Sequence, residues 1–317
     1  MTASRFALEQ MIHRELAQPV PPGAHALADR LRERYGPALR AVLMYGSNLR
    51  QGDDREGVLD LYALVTSYRS VYRNPALAVV NRLLPPNVFY LETEAGGVVR
   101  CKYAVLALHD LPRLTSWQTS EPYFWARFAQ PCALVYAADE EARDTVATAL
   151  AGAVATFVRF AVPFAGVPFD SRMLWTTAWQ ATYGAEIRPE RPGAAETLYA
   201  RSAERFERVT TLALPALPWA ATTMAGSDGL RFQVELPGRE RRRAVRAWRV
   251  RRLQAKGLFL LRILRNALIF EGGVDYVLWK IQRHSGVAID RSWRQKRHPL
   301  LALGAEAWRL YRARAVR

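Results

Sequence analysis

The sequence predicts an α+β fold in three parts. These are a mixed sheet with helices over residues 1–140, a mainly helical domain over residues 141–238 and a basic amphipathic region over residues 239–317. Short β-rich apolar runs dominate the first part, helical spacing dominates the second, and the excess positive charge lies in the third. A chain of 317 residues that is 50% hydrophobic can bury real cores, which excludes an intrinsically disordered protein.

The first part alternates between helix and strand signals. Residues 25–36 have helical spacing and stop at Gly36, and two β-rich runs surround Gly96-Gly97, as in a hairpin. The predicted strands cover 38–47, 58–67, the two arms of a hairpin within 87–108, and 132–138.

The second part contains the most membrane-like stretch, residues 145–169. Arg159 interrupts it and Pro163 and Pro168 break it, so we expect a buried helix followed by a loop. Residues 211–238 hold three prolines and predict a strand-poor connector. Residues 1–16 carry charge throughout, without the apolar core of a secretory signal, which favours a cytoplasmic location.

The net charge of +16 indicates an anionic partner. Residues 239–317 hold 21 basic and 5 acidic side chains, an excess of 16, and the rest of the chain is neutral. The last quarter of the chain is therefore expected to meet the anion. Two cysteines exclude a disulfide framework or a cysteine-rich zinc site, and the five histidines have no metal-ligand spacing.

The sharpest local motif is MYGS at 44–47 followed by LD at 59–60. A strand that delivers Gly-Ser into a turn, with an aspartate on the neighbouring strand, is the layout of nucleotidyltransferases of the DNA polymerase beta type. Gly46 would let the backbone approach nucleotide phosphates, Ser47 would bond their oxygens, and Asp60 would hold Mg²⁺. The alternative is a common turn dipeptide and a capping aspartate.

The motif has one gap. A second acid usually stands two residues after the first, and this chain has Tyr62 there. A second metal would need a carboxylate from elsewhere, such as Asp53, Asp54 or Glu92.

Five segments in order resemble the mitochondrial-type phosphatidate cytidylyltransferases, the translocator assembly and maintenance family. They are MYGS at 44–47, LDLYALV at 59–65, RCKYAVLALHDL at 100–111, WARFAQP at 125–131 and RRLQAKGLFLLRIL at 251–264. Trp117 also stands where the family has a tryptophan. Ala104 and Ala126 replace family glycines, and the second change puts the tightness of its turn in doubt. The resemblance spans roughly residues 40–285.

The resemblance implies transfer of CMP from CTP to phosphatidate, giving CDP-diacylglycerol and pyrophosphate. It places Gly46 and Ser47 at the CTP triphosphate and Asp60 at Mg²⁺, with Mn²⁺ or Co²⁺ as alternatives. Lys102 interrupts an apolar strand and therefore needs an anionic partner, so it is interpreted as a catalytic clamp on a phosphate or as an edge-strand lysine that reaches solvent. Contacts with lipid phosphate or membrane are assigned to Arg127, Lys256, Arg262 and Arg265, with a solvated surface charge as the alternative for Arg127 and Lys256.

Residues 256–284 contain two apolar helical runs with embedded cations, and Trp279 lies near the end of the second run. Apolar faces, tryptophan and flanking cations are typical of an interfacial helix on anionic lipid. This predicts peripheral association with the inner face of the membrane, because neither run reaches the length of a span. A core helix with a solvated basic face is the alternative.

Two other classes of function remain open. The same core could act on RNA, although the tail pairs its charge with long apolar runs, which favours lipid over nucleic acid. A non-catalytic membrane adaptor with a degenerate site is the third hypothesis, motivated by Tyr62.

Overall fold

The computed structural model describes residues 3–51, 57–119, 121–183, 193–226 and 229–269, and it has an α+β fold. The strands are β1 Leu39–Tyr45, β2 Leu59–Val65, β3 Asn87–Glu94, β4 Val98–Ala107, β5 Cys132–Ala137, β6 Ala221–Gly226 and β7 Gly229–Val234. The helices are α1 Ala3–Leu16, α2 Pro22–Tyr35, α3 Ser47–Gln51, α4 Pro75–Leu83, α5 Leu111–Thr115, α6 Tyr123–Phe128, α7 Glu140–Ala161, α8 Ser171–Tyr183, α9 Ala194–Ala200, α10 Ala203–Ala213 and α11 Gly238–Ile269.

A five-stranded mixed sheet forms the first part of the fold, in the order β3-β4-β2-β1-β5. Strands β2 and β4 run parallel, and the other neighbouring pairs are antiparallel. The mixed sheet, the glycine-bounded hairpin β3–β4 and helix α2, which ends before Gly36, confirm the α+β prediction.

Helices cover both faces of this sheet. Helix α2 packs Leu27 and Leu31 on the face that carries Met44 and Leu61. The other face packs against α1, α6 and α7 in a larger core that also contains α8, α10 and Trp248 of α11. This core crosses residue 140, so the sheet and the following helices share buried side chains.

Helix α7 occupies the membrane-like stretch and lies in the middle of this larger core. Its segment with the following turn, Glu140–Phe164, is long and apolar enough to cross a membrane, yet 67% of its most apolar window is buried. Phe157 of α7 stacks on Trp175 of α8, with ring centroids 4.4 Å apart. The stretch therefore serves as a core helix, as its sequence predicted.

The structure corrects the expectation of a strand-poor connector at residues 211–238. Strands β6 and β7 form an antiparallel hairpin there, and β7 is joined to Phe169 by a bridge at Phe232. Every residue of β6 is exposed, so this strand has no buried, apolar side to produce the usual alternation. Helices α1 and α4 were not anticipated by the sequence analysis either.

Helix α11 is a single helix of 32 residues. Its buried or half-buried face recurs every seventh residue, at Arg241, Trp248, Ala255 and Arg262. Trp248 lies against Trp125, with ring centroids 6.3 Å apart. The region beyond residue 269, which includes Trp279, lies outside the described residues.

We expect Asp139→Ala to lower the melting temperature. Asp139 is the N-cap of α7, accepts a hydrogen bond from the Ala142 N–H at 2.8 Å and pairs with Arg40 at 2.6 Å. These bonds, the backbone one first, hold the pKa of Asp139 below its ordinary value. Its stabilisation is therefore present above the unfolded pKa and is lost as pH falls through the lowered one.

Thermal unfolding across acidic pH checks this prediction, with Asp139→Asn as the matched control. Asparagine keeps the cap but has no carboxylate to protonate. Asp139→Ala should be the less stable of the two at neutral pH. Equal melting temperatures for the two variants at neutral pH would contradict the capping role.

Candidate functional site

The bend after β1 is built around the carboxylate of Asp60. Gly46 has φ +91°, a backbone conformation that favours glycine, and a Cβ added there would lie 2.7 Å from Asp60 Oδ2. Two features of the bend therefore favour glycine at this position: the positive φ angle, and the space that the Asp60 carboxylate occupies. The sequence motif predicted a bend at Gly46 but did not predict the close approach of the Asp60 carboxylate.

Ser47 follows the bend as the first residue of α3. Its side chain is exposed, and its hydroxyl donates to the Asn48 Oδ1 atom at 3.2 Å. Asn48 itself is buried, and Gly57, on the far side of the connection to β2, lies close to its side-chain amide. The bend thus presents Ser47 to solvent beside Asp60.

Asp60 and Lys102 form an ion pair on one face of the sheet. They are register partners on the parallel strands β2 and β4, and Lys102 Nζ lies 2.9 Å from Asp60 Oδ1. The Lys102 side chain is 38% exposed and the Asp60 side chain 19%. The Lys102 ammonium group is accommodated on this strand because it has both an anionic partner and access to water.

The Asp60 oxygen that pairs with Lys102 accepts no hydrogen bond from the described residues. This atom, Oδ1, is buried and has no partner with hydrogen-bond geometry in the described part of the chain, because the short contact with Lys102 is not directed as a hydrogen bond. A buried carboxylate oxygen in this state suits a cation. Mg²⁺ is commonly held by one or two carboxylates together with substrate phosphates, so Asp60 fits a substrate-held Mg²⁺.

The described residues contain no group of three or more His, Cys, Asp or Glu side chains that could hold a metal by themselves. Glu92 is on β3, separated from β2 by β4, where it accepts from the Tyr90 hydroxyl and lies 3.7 Å from Arg100. Asp53 and Asp54 lie outside the described residues. Asp60 is therefore the metal-binding candidate that this geometry offers.

The position of the usual second acid belongs to the core. Tyr62 is fully buried, and its ring centroid lies 5.1 Å from that of Tyr45 and 4.8 Å from that of Phe128. Burial raises the pKa of its hydroxyl well above the usual value. Tyr62 is thus a packing residue and supplies no carboxylate to the site.

Arg127 of α6 contacts Tyr45, the register partner of Asp60 on β1. Its Nη1 donates to the Tyr45 hydroxyl at 3.1 Å, and its guanidinium lies 4.7 Å from the ring centroid of Tyr123. Burial raises the pKa of the Tyr45 hydroxyl above its usual value. The positive charge of Arg127 lowers this pKa, and the negative charge of Asp60 raises it. The structure therefore brings Arg127 toward the Asp60 cluster. Tyr45 and Tyr123 were missed by the sequence analysis, which treated the tyrosine of MYGS only as a neighbour of glycine.

Arg262, predicted to contact lipid, lies inside the fold instead. Its side chain is 7% exposed, forms a two-pronged ion pair with Glu121, and donates from Nε to the Pro85 carbonyl at 2.8 Å. A guanidinium with these partners does not reach a membrane surface. Lys256 is half-exposed on α11, and the side chain of Arg265 lies outside the described residues.

No protein-family model matches the chain, and the curated proteins contain no match to it.

We expect Gly46→Ala to destabilise the protein more than Gly96→Ala. Both glycines have positive φ, +91° and +65°, so each alanine incurs a strain of about 1–3 kcal/mol. A Cβ at Gly96 meets nothing within 4 Å, whereas one at Gly46 meets Asp60. Urea unfolding of both variants isolates the second effect, and equal losses of unfolding free energy would show that Asp60 moves aside freely.

Proposed function

We propose that the protein is a CTP:phosphatidate cytidylyltransferase with a nucleotidyltransferase fold of the DNA polymerase beta type. The observation that carries the proposal is the convergence of Gly46, Asp60 and Lys102 on the three central strands of the mixed sheet, where β1 ends and β2 begins. Ser47, exposed at the bend, and Arg127, bonded to Tyr45, add a hydroxyl and a cation near the same place. These are groups suited to a nucleotide triphosphate.

The reaction is an in-line displacement at phosphorus. An anionic oxygen of the phosphatidate phosphate attacks the α-phosphorus of CTP, a new P–O bond forms, and the bond to the β-phosphate oxygen breaks. The electron pair of that bond leaves with pyrophosphate, and CDP-diacylglycerol is the other product. Because a phosphate monoester is already anionic near neutral pH, the step needs no strong general base.

In this mechanism Lys102 can pair with either of two anions, the Asp60 carboxylate or the triphosphate of the nucleotide. Its ammonium group lies 2.9 Å from the Asp60 carboxylate. A triphosphate carries more negative charge than one carboxylate, and the half-exposed lysine has the freedom to turn toward it. Lys102 then neutralises charge on the phosphates, and positioning with charge neutralisation supplies most of the rate.

Asp60 would hold Mg²⁺ through the Oδ1 atom that has no hydrogen-bond partner among the described residues. When bound, the ion supplies Lewis-acid neutralisation of the phosphate oxygens. Mn²⁺ or Co²⁺ would fit the same oxygen ligands. The role of Asp60 is to fix the position of the nucleotide phosphates relative to the Gly46 bend.

The acceptor lipid lies in a bilayer, so the enzyme must dock on a membrane. The exposed face of α11 carries cations, and Leu253 and Leu261 on the same helix are 73% and 53% exposed. Such a face suits the surface of an anionic bilayer. We place the protein at the inner face of the membrane, peripherally bound. The exposed cations of this face are Arg239, Arg242, Arg243, Arg246, Arg249 and Arg252.

Purified protein with CTP, Mg²⁺ and phosphatidate should form CDP-diacylglycerol and release pyrophosphate. We expect Asp60→Asn and Lys102→Met each to reduce kcat by about 100-fold or more, because each removes charge stabilisation of the transferring phosphoryl group. Product formation from radiolabelled CTP, separated by thin-layer chromatography, measures this.

Arg69→Met is the matched control, since Arg69 is an exposed cation outside the site, and its kcat should equal that of the wild type. Full activity in Asp60→Asn would overturn the proposed site. A wild-type protein that binds membranes without turning over CTP would favour the adaptor. Transfer to RNA, but not to phosphatidate, would identify a nucleic acid enzyme.

Replacing Arg242, Arg243 and Arg246 together by glutamine should weaken binding to phosphatidate-containing vesicles. Each cation near an anionic surface contributes roughly 1 kcal/mol, so the triple change corresponds to on the order of a 100-fold loss at low salt. Vesicle sedimentation measures the binding. This variant is sharper than truncation from residue 251, which would also remove the buried Arg262.

The control replaces three exposed cations of the helical layer, Arg172, Arg201 and Arg208, by glutamine. It lowers the net charge equally, so its vesicle binding should remain close to that of the wild type. Equal losses in both triple variants would mean that net charge, and not the face of α11, drives the binding.

A further inference from the structure

Two guanidinium groups from distant parts of the chain meet at one aromatic ring. Arg127 of α6 and Arg262 of α11 each lie 4.7 Å from the ring centroid of Tyr123. Cations at this distance from an aromatic ring are attracted by its quadrupole, more strongly where water is excluded. Tyr123 therefore joins the end of α11 to α6, the helix that carries Arg127.

The guanidinium of Arg262 is held in place by several hydrogen bonds. Its guanidinium donates to the Pro85 carbonyl and to both carboxylate oxygens of Glu121, which is 14% exposed. A planar guanidinium held by a carboxylate at two points has little freedom to rotate. The negative charge of Glu121 also offsets the repulsion that two guanidinium groups near one ring would otherwise experience.

Arg127 is the arginine of this pair that lies toward the candidate site. Its second partner is the hydroxyl of Tyr45, at 3.1 Å, and Tyr45 is the register partner of Asp60 on the neighbouring strand. The position of the Arg127 charge relative to Asp60 therefore depends on the ring of Tyr123 on one side and on Tyr45 on the other.

We propose that Arg262 is a positioning residue for the nucleotide pocket. It fixes the ring of Tyr123, and through that ring it holds the Arg127 guanidinium at Tyr45, where the charge meets the phosphates of the nucleotide. This inference rests on the proposed function for the identity of the ligand. It gives the long helix α11 a role in the site in addition to the docking of its exposed face.

The test uses full-length protein with phosphatidate in detergent micelles, so that vesicle binding does not limit the rate. The paired variant Arg262→Met with Glu121→Gln removes both buried charges together, because removing one alone strands the other. Tyr123→Leu leaves the ion pair in place and removes the ring. We expect each to lower kcat/KM for CTP about tenfold, with KM for phosphatidate unchanged.

The decisive measurement is a double-mutant cycle with Arg127→Met. If Arg262 acts through Arg127, adding Tyr123→Leu or the paired variant to Arg127→Met should cause no further loss. A purely structural role would make the losses multiply. Arg69→Met, at an exposed arginine outside the site and outside the docking face of α11, is the control and should keep wild-type kcat/KM for CTP. Multiplying losses, or wild-type kcat/KM for CTP in the paired variant, would overturn the proposal.

A second readout does not depend on turnover. In ¹⁵N-arginine-labelled protein, the side-chain Nε–H signal of Arg127, assigned by its disappearance in Arg127→Lys, should exchange slowly with water. It should broaden or vanish in Tyr123→Leu and persist in Arg69→Met. An unchanged signal in Tyr123→Leu would overturn the positioning role. A wild-type protein without CTP turnover would overturn the proposed function alone.

Discussion

The carboxylate of Asp60 is confined between two strands, and the geometry of the candidate site depends on this confinement. On the β1 side, Gly46 leaves a space that any side chain would fill, and on the β4 side Lys102 supplies the opposite charge at 2.9 Å. Neither neighbour is sufficient alone, because a half-buried carboxylate without a cation would be costly to desolvate. The bend, the acid and the lysine therefore form one unit.

The parallel pairing of β2 with β4 makes this unit possible. In register, Asp60 lies beside Lys102, and Tyr62, two residues further along β2, lies beside Ala104. On this side of the sheet, β2 and β4 are therefore polar and partly exposed at Asp60 and Lys102. Two residues further along they are apolar and buried, and there Tyr62 packs on Phe128. A shift of β4 by one residue in this register would turn Lys102 to the opposite face, away from Asp60.

Secondary structure that is encoded by local patterns could be predicted from the sequence, whereas burial that depends on contacts between distant residues could not. Strands β1 and β2 and the β3–β4 hairpin could be predicted because glycine-bounded apolar runs are local signals. The burial of Arg262 could not, because its partner Glu121 is 141 residues away and arginines occur around most of α11. The heptad of buried positions in that helix includes two arginines, so hydrophobicity alone does not reveal which face packs inward. Lys102 was singled out correctly as needing an anion, and the register of β2 and β4 identifies that anion as Asp60.

Among the described residues, Asp60 is the one acid of the candidate site, and this bears on the kind of acceptor that the site suits. A hydroxyl acceptor, such as the end of an RNA chain, must lose a proton during attack, which calls for a general base or a second metal with its own carboxylates. At the position where that second acid would stand, this chain has the buried ring of Tyr62, which cannot serve. A phosphate monoester has a second pKa near 6 and is already anionic at neutral pH, so it attacks without such help. In the proposed reaction, one carboxylate, one lysine and one arginine would orient the two phosphates and balance their charge. Tyr62 at the position of the usual second acid therefore supports the proposed transfer to a phosphate over transfer to a hydroxyl.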